Sequence, residues 1–143
     1  MYRIEKRFTF PMGHRLSKHC GRCYSPHGHN FTVLVGIKSE TLDENDMVMD
    51  FSTLKEIVSK IVDTFDHCLL LNKSDFDFGE KVKELGGNTR VLYCDYDPTA
   101  ERLAEFLYRE ILKSLPYNHS HKVCIDYVTV FENENSKATY SQF

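Results

Sequence analysis

The residues best suited to chemistry in this chain are His27-Gly28-His29. Side chains two apart in extended chain point to the same side, so both imidazoles can reach one ion. His14 follows an earlier segment of alternating apolar residues. If that segment pairs antiparallel with the one that starts at His29, its end lies beside the start of the other, and His14 joins the pair. Three neutral imidazoles with a fourth position left for a substrate oxygen is the donor pattern of a catalytic zinc, with Zn–N near ~2.0 Å. His19, His119 and His121 have no such company and read as surface or satisfied core residues.

Cys23 lies four residues before His27, where a metal and its histidines would favour the thiolate, so it is a candidate base. Cys20-Gly21-Arg22-Cys23 also matches a CxxC zinc knuckle or redox pair, but a second CxxC is absent, and so is the βαβ context of a redox motif. Asp66-His67 is either an acid–base pair, the carboxylate fixing the imidazole tautomer, or a polar last turn of a helix. Glu132 is either a bidentate acceptor for an amino-substituted heterocycle or the first residue of a polar turn.

These side chains need a scaffold, and the apolar spacing supplies one. Tyr2, Ile4, Phe8 and Phe10 alternate as a first half-buried strand. Residues 11–28 read as a long loop, and Phe31, Val33, Val35 and Ile37 as a second strand. From Asp50 the period becomes helical through Phe51, Leu54, Ile57, Val58, Ile61, Val62 and Phe65, with Asp50 or Ser52 as cap. Residues 73–89 are a polar excursion with a partial helix, followed by a short strand near Val91–Cys94. Asp97-Pro98 opens a second helix, with Asp97 as its cap, Pro98 in its first turn, and Leu103, Ala104, Leu107, Ile111 and Leu115 inward. Val123 to Phe131 alternates again, and Lys137–Gln142 returns as its hairpin partner across a turn at Glu132–Asn135.

The expectation is an α+β domain of order strand, strand, helix, helix, strand, strand. Two helices pack on one face of a four-stranded antiparallel sheet. Its open edges favour pairing with copies of the same chain. At 143 residues one domain, 1–143, accounts for the sequence. Lys and Arg number 18 against 21 Asp and Glu, a net charge of −3, which disfavours nucleic acid as a partner. The apolar runs are too short for a membrane span or a signal peptide, so the expected setting is the cytoplasm. Five scattered cysteines do not form a disulfide framework.

Taken together, these motifs resemble the 6-pyruvoyltetrahydropterin synthase and 6-carboxytetrahydropterin synthase family over nearly the whole chain. Phe10-Pro11-Met12-Gly13-His14-Arg15-Leu16 is similar to the first zinc motif, and Cys23 with His27-Gly28-His29-Asn30-Phe31 to the catalytic cysteine and remaining zinc ligands. Met47-Val48-Met49-Asp50-Phe51 resembles the start of the first helix, and Asp66-His67 with Leu71-Asn72 the Asp-His-x-x-Leu-Asn element. Pro98-Thr99-Ala100-Glu101 is similar to the second helix start, and Val128 to Glu132 to the strand with the pterin-anchoring glutamate. Pro11, Met12 and Gly13 depart from the small residues usual there, Cys20 and Cys68 are extra thiols, and the excursion at 73–89 is long.

The resemblance implies the tunnelling fold, in which sheets of several subunits join into a barrel with active sites between them, here a trimer-based homo-oligomer such as a hexamer. It implies Zn2+ on His14, His27 and His29, Cys23 as base, Asp66 and His67 as proton relay, Glu132 as pterin anchor, and Thr99 with Glu101 assisting at the neighbouring subunit's edge. The three residues between Cys23 and His27 are similar to the bacterial 6-carboxytetrahydropterin synthases of queuosine and deazapurine biosynthesis. The implied reaction converts 7,8-dihydroneopterin triphosphate to 6-carboxytetrahydropterin, acetaldehyde and triphosphate. A 6-pyruvoyltetrahydropterin synthase and a non-catalytic pterin-binding homologue are the alternatives within the family. A zinc hydrolase or lyase that needs no Cys23 is the alternative outside it.

Overall fold

The computed structural model describes residues 1–142. β1 (Tyr2–His14) and β2 (His27–Ser39) form an antiparallel ladder whose register runs unbroken from Tyr2 opposite Ser39 to His14 opposite His27. Phe10 and Met12 on β1 and Phe31, Val33, Val35 and Ile37 on β2 point to one face and are buried there. Both strands run further into the histidine-rich segment than the sequence predicts, leaving only residues 15–26 as loop. Pro11 does not end β1, because N–H and C=O of one strand residue face the same side. The Pro11 carbonyl accepts from His67 N–H at 2.8 Å, so the missing N–H faces the side where the next ladder starts only at Gly13.

α1 (Phe51–Val62) begins at Asp50, whose carboxylate accepts from Ser52 N–H at 2.7 Å, and buries Leu54, Val58 and Val62. β3 (Leu69–Asn72), α2 (Phe76–Gly86) and β4 (Val91–Cys94) follow. α3 (Ala100–Ser114) is capped by the Thr99 hydroxyl, which accepts from Arg102 N–H, and not by Asp97 as the sequence predicts. β5 (Cys124–Asn133) and β6 (Ser136–Tyr140) close the chain as an antiparallel hairpin. No helix among the described residues is long and apolar enough to cross a membrane.

Among the described residues the sheet has six strands, in the order β4-β3-β1-β2-β5-β6, where four antiparallel strands were expected. β3 lies parallel to β1, and β4 parallel to β3. The Leu69-Leu70-Leu71 run is too short for alternation to show, and both of its faces are covered. Leu70 and Leu92 enter the core under α1 and α3, whereas Leu71 and Tyr93 point the other way. On that side Tyr93 meets α2, packing on Phe76 with ring centroids 5.2 Å apart and lying over Gly79 so closely that a Cβ there would collide with it. The expected pair of helices shares one face, and the third helix, α2, occupies the opposite face at the β3–β4 end.

Candidate metal centre

The β1–β2 register sets His14 opposite His27, with His29 two residues on and on the same face. One ring nitrogen from each of the three lies within 4.8 Å of the others, and no other trio of His, Cys, Asp or Glu does so among the described residues. His14 is fully buried between β2 and β3, and the Phe31 ring floors the group at 5.5 Å from His14 and 5.3 Å from His29.

Hydrogen bonding settles which nitrogens are acceptors. His14 Nδ1 donates to the Pro98 carbonyl at 2.8 Å and His27 Nδ1 to the Ser25 carbonyl at 2.7 Å. In the neutral rings each Nε2 then carries the lone pair, and the two face each other at 3.1 Å. His29 Nε2 is buried with no hydrogen-bond partner among the described residues. Facing acceptors repel unless a cation lies between them, and two nitrogens on a tetrahedral zinc stand about 3.3 Å apart. Burial pushes His14 down to about 4, against the Pro98 bond that acts to raise it. Burial also lowers His29, with the Glu132 carboxylate opposing. Both rings are thus neutral at physiological pH, the form a metal requires, and the trio fits a zinc-type ion with Nδ1–H carbonyl bonds orienting two of its rings.

Two cavities meet at His29. One, of about 420 Å³, is lined by Met12, Gly13, His29, Asn30, His67 and Cys68 among others. The second, of about 480 Å³, is lined by Arg7, His29, Asn30, Thr32, Phe131 and Glu132 among others. Glu132 in turn borders a third, of about 220 Å³, with Thr99 and Glu101. His67 and Glu132 thus each share a cavity with His29, and Thr99 and Glu101 share one with Glu132. Asp66 is held to His67 Nδ1 at 2.6 Å. His67 itself adopts φ 61, a left-handed conformation that sets its side chain outward between α1 and β3.

Cys23 stands outside the histidine cluster. It is half-buried on a single 3-10 turn, Arg22–Tyr24, and its carbonyl accepts from Leu16 N–H at 2.9 Å. Two contributors escaped the sequence reading. The Pro98 carbonyl that orients His14 left no trace, since a backbone oxygen carries no residue identity. Asp97, read as a helix cap, instead accepts from Ser17 Oγ at 2.6 Å, Lys18 N–H at 2.9 Å and Asn72 Nδ2 at 3.0 Å, tying the Cys23 loop to β3.

The chain is 34% identical over 136 residues to the 6-carboxy-5,6,7,8-tetrahydropterin synthase of Rickettsia bellii, covering 94% of this chain and 96% of that one. Its fold is close to that of an uncharacterized protein from Wolinella succinogenes, with TM-score 0.79 at 23% identity over 99% and 98% of the two chains. The 6-pyruvoyl tetrahydropterin synthase of Caenorhabditis elegans superposes with TM-score 0.70 at 23% identity over 99% and 96%. These likenesses bear out the tunnelling fold, with the β3–β4 extension added to the expected sheet. The 6-pyruvoyl tetrahydropterin synthase family model matches residues 3–142, from the start of β1 to beyond the end of β6, and the chain belongs to that family.

Proposed function

We propose that this chain, as one domain over residues 1–143, is a 6-carboxy-5,6,7,8-tetrahydropterin synthase. With one water, it converts 7,8-dihydroneopterin triphosphate to 6-carboxytetrahydropterin, acetaldehyde and triphosphate. The observation that carries this reading is the convergence of the His14, His27 and His29 ring nitrogens, with His29 lining one cavity together with His67 and another together with Glu132. The name of the Rickettsia bellii relative supports the choice of product.

His14, His27 and His29 would hold Zn2+. When bound, it supplies Lewis-acid polarisation of the substrate's side-chain oxygens, which acidifies the adjacent C–H. Cys23, as thiolate, takes that proton. Cys68 is no substitute although it lines the same cavity as His29, because burial pushes its thiol up to about 11. Asp66 fixes His67 through Nδ1, leaving Nε2 to deliver and recover protons as triphosphate departs and the side chain cleaves. Glu132 accepts from the pterin N–H groups, and Thr99 and Glu101 assist from a neighbouring subunit's edge. β4 and β6 end the sheet of one protomer, which supports closure with further copies into a trimer-based hexamer. A phosphorylated substrate of this kind supports a cytoplasmic setting.

The test supplies zinc-loaded protein with 7,8-dihydroneopterin triphosphate and resolves the products. Acetaldehyde with the carboxy-pterin is expected. A pyruvoyl-pterin overturns the product assignment, and pterin retained without turnover overturns the activity. Cys23→Ala should keep its zinc and lose turnover, and a fully active variant removes Cys23 from the role of base.

A further inference from the structure

The loop carrying Cys23 has little structure of its own. Inside it, Leu16 N–H reaches the Cys23 carbonyl at 2.9 Å and Tyr24 N–H reaches the Gly21 carbonyl at 3.2 Å. From outside, Asp97 holds its first residues, Ser17 and Lys18, and Arg15, the residue after His14, holds the part beside Cys23. Its Nη2 donates to Asp75 Oδ1 at 2.6 Å and its Nε to Asp75 Oδ2 at 3.1 Å, a two-bond fork in one plane. The two side chains are only 12% and 10% exposed. The guanidinium also stacks on two rings, Phe78 at 4.2 Å and Tyr24 at 4.7 Å from the centroids.

Asp75 and Phe78 stand at the start of α2, no residue of which lines the three cavities around the histidines. Tyr24 is the covalent neighbour of Cys23. One guanidinium therefore joins the strand end that presents His14, the residue beside the thiol, and a helix with no part in the site. Arg is suited to this and Lys is not, since only a planar fork can bond in its plane while stacking on rings.

We propose that α2 is a clamp, acting from Asp75 and Phe78 through Arg15 and Tyr24, that sets the position of the Cys23 thiol relative to the histidine cluster. These are positioning residues, and the inference rests on the reading of Cys23 as the base. A thiol on a freed loop loses both its partial burial and its alignment with the substrate carbon.

Zinc-loaded wild type, Asp75→Asn, Asp75→Glu and Phe78→Leu would be alkylated with iodoacetamide, and the rate at each cysteine read from peptide masses. kcat and KM would be measured beside it. In Asp75→Asn, Cys23 alkylation should rise and kcat fall, each about tenfold, while KM stays within about twofold and bound zinc is kept. Asp75→Glu should restore most of both. Phe78→Leu leaves the ion pair in place and should show the same pattern more weakly, which keeps the test decisive if Asp75→Asn does not fold. Wild-type alkylation of Cys23 in both variants overturns the clamp. So does equal acceleration at Cys23 and buried Cys68, which reports general loosening. A wild type that does not turn over the pterin sinks the proposed activity, while the alkylation comparison still decides the clamp.

Discussion

His14 and His67 each have Nδ1 bonded, and their surroundings suit opposite tasks. His14 lies in the middle of the sheet, donates to a backbone carbonyl, and is pushed down to about 4 by burial. The His67 side chain is 77% exposed and is bonded to the 40% exposed Asp66 carboxylate. A carbonyl partner in a dry site fixes a neutral ring with one acceptor nitrogen, which suits a metal ligand. A carboxylate partner in the open suits a ring that must take up and release a proton. The same residue type is thus sorted by strand position: β3 lies beside the end of β1 and buries His14, while the turn before β3 turns His67 outward.

The sharpest way to break this contrast is His27→Ala. It should lose bound zinc and all measurable turnover together, and metal analysis that still finds one zinc per chain removes the trio as ligands. Next, His67→Ala should lower kcat by about 10²- to 10⁴-fold and leave zinc content unchanged. Because the pair is exposed, its melting temperature should move little. Metal loss in this variant would mean the two sites are not distinct. Glu132→Gln should weaken pterin binding about 10- to 100-fold by titration calorimetry without stripping zinc, and unchanged affinity excludes it as the anchor.

The smallest effect concerns the scaffold. Burial acts to raise the Asp97 carboxyl, but bonds from Ser17, Lys18 N–H and Asn72 outweigh it and hold the group below its ordinary 3.8. A depressed folded value gives stability that is complete above the unfolded value and lost as pH falls through the folded one. At neutral pH Asp97→Ala should therefore be roughly 1–3 kcal/mol less stable than wild type by urea unfolding. The gap should narrow below pH 3.8, and a gap independent of pH would show that the carboxylate charge is not what anchors the loop.

Much of this was legible in one dimension. Alternation at Tyr2 to Phe10, Phe31 to Ile37 and Val123 to Phe131 marked the long strands. The helical spacing at Leu54, Val58 and Val62 marked α1, and His-Gly-His marked the trio, because periods of two and 3.6 residues are local properties of the chain. What lay beyond reach depended on partners distant in sequence. β3 is too short to show a period and exists as a strand because β1 and β4 flank it. Pro11 is tolerated in β1 only because of which side it faces. Asp97 turned from a helix cap into a loop anchor once Ser17 and Asn72 came beside it.

The amino-acid sequence by itself determined which side chains are equipped for chemistry and which long strands and helices run beside them, since side-chain type and periodicity are written along the chain. Only the tertiary structure decided which imidazoles are buried and neutral, which nitrogens are acceptors, and how the thiol loop is held. Each of those depends on burial and on hydrogen bonds between residues far apart in sequence, such as His14 with Pro98 and Arg15 with Asp75.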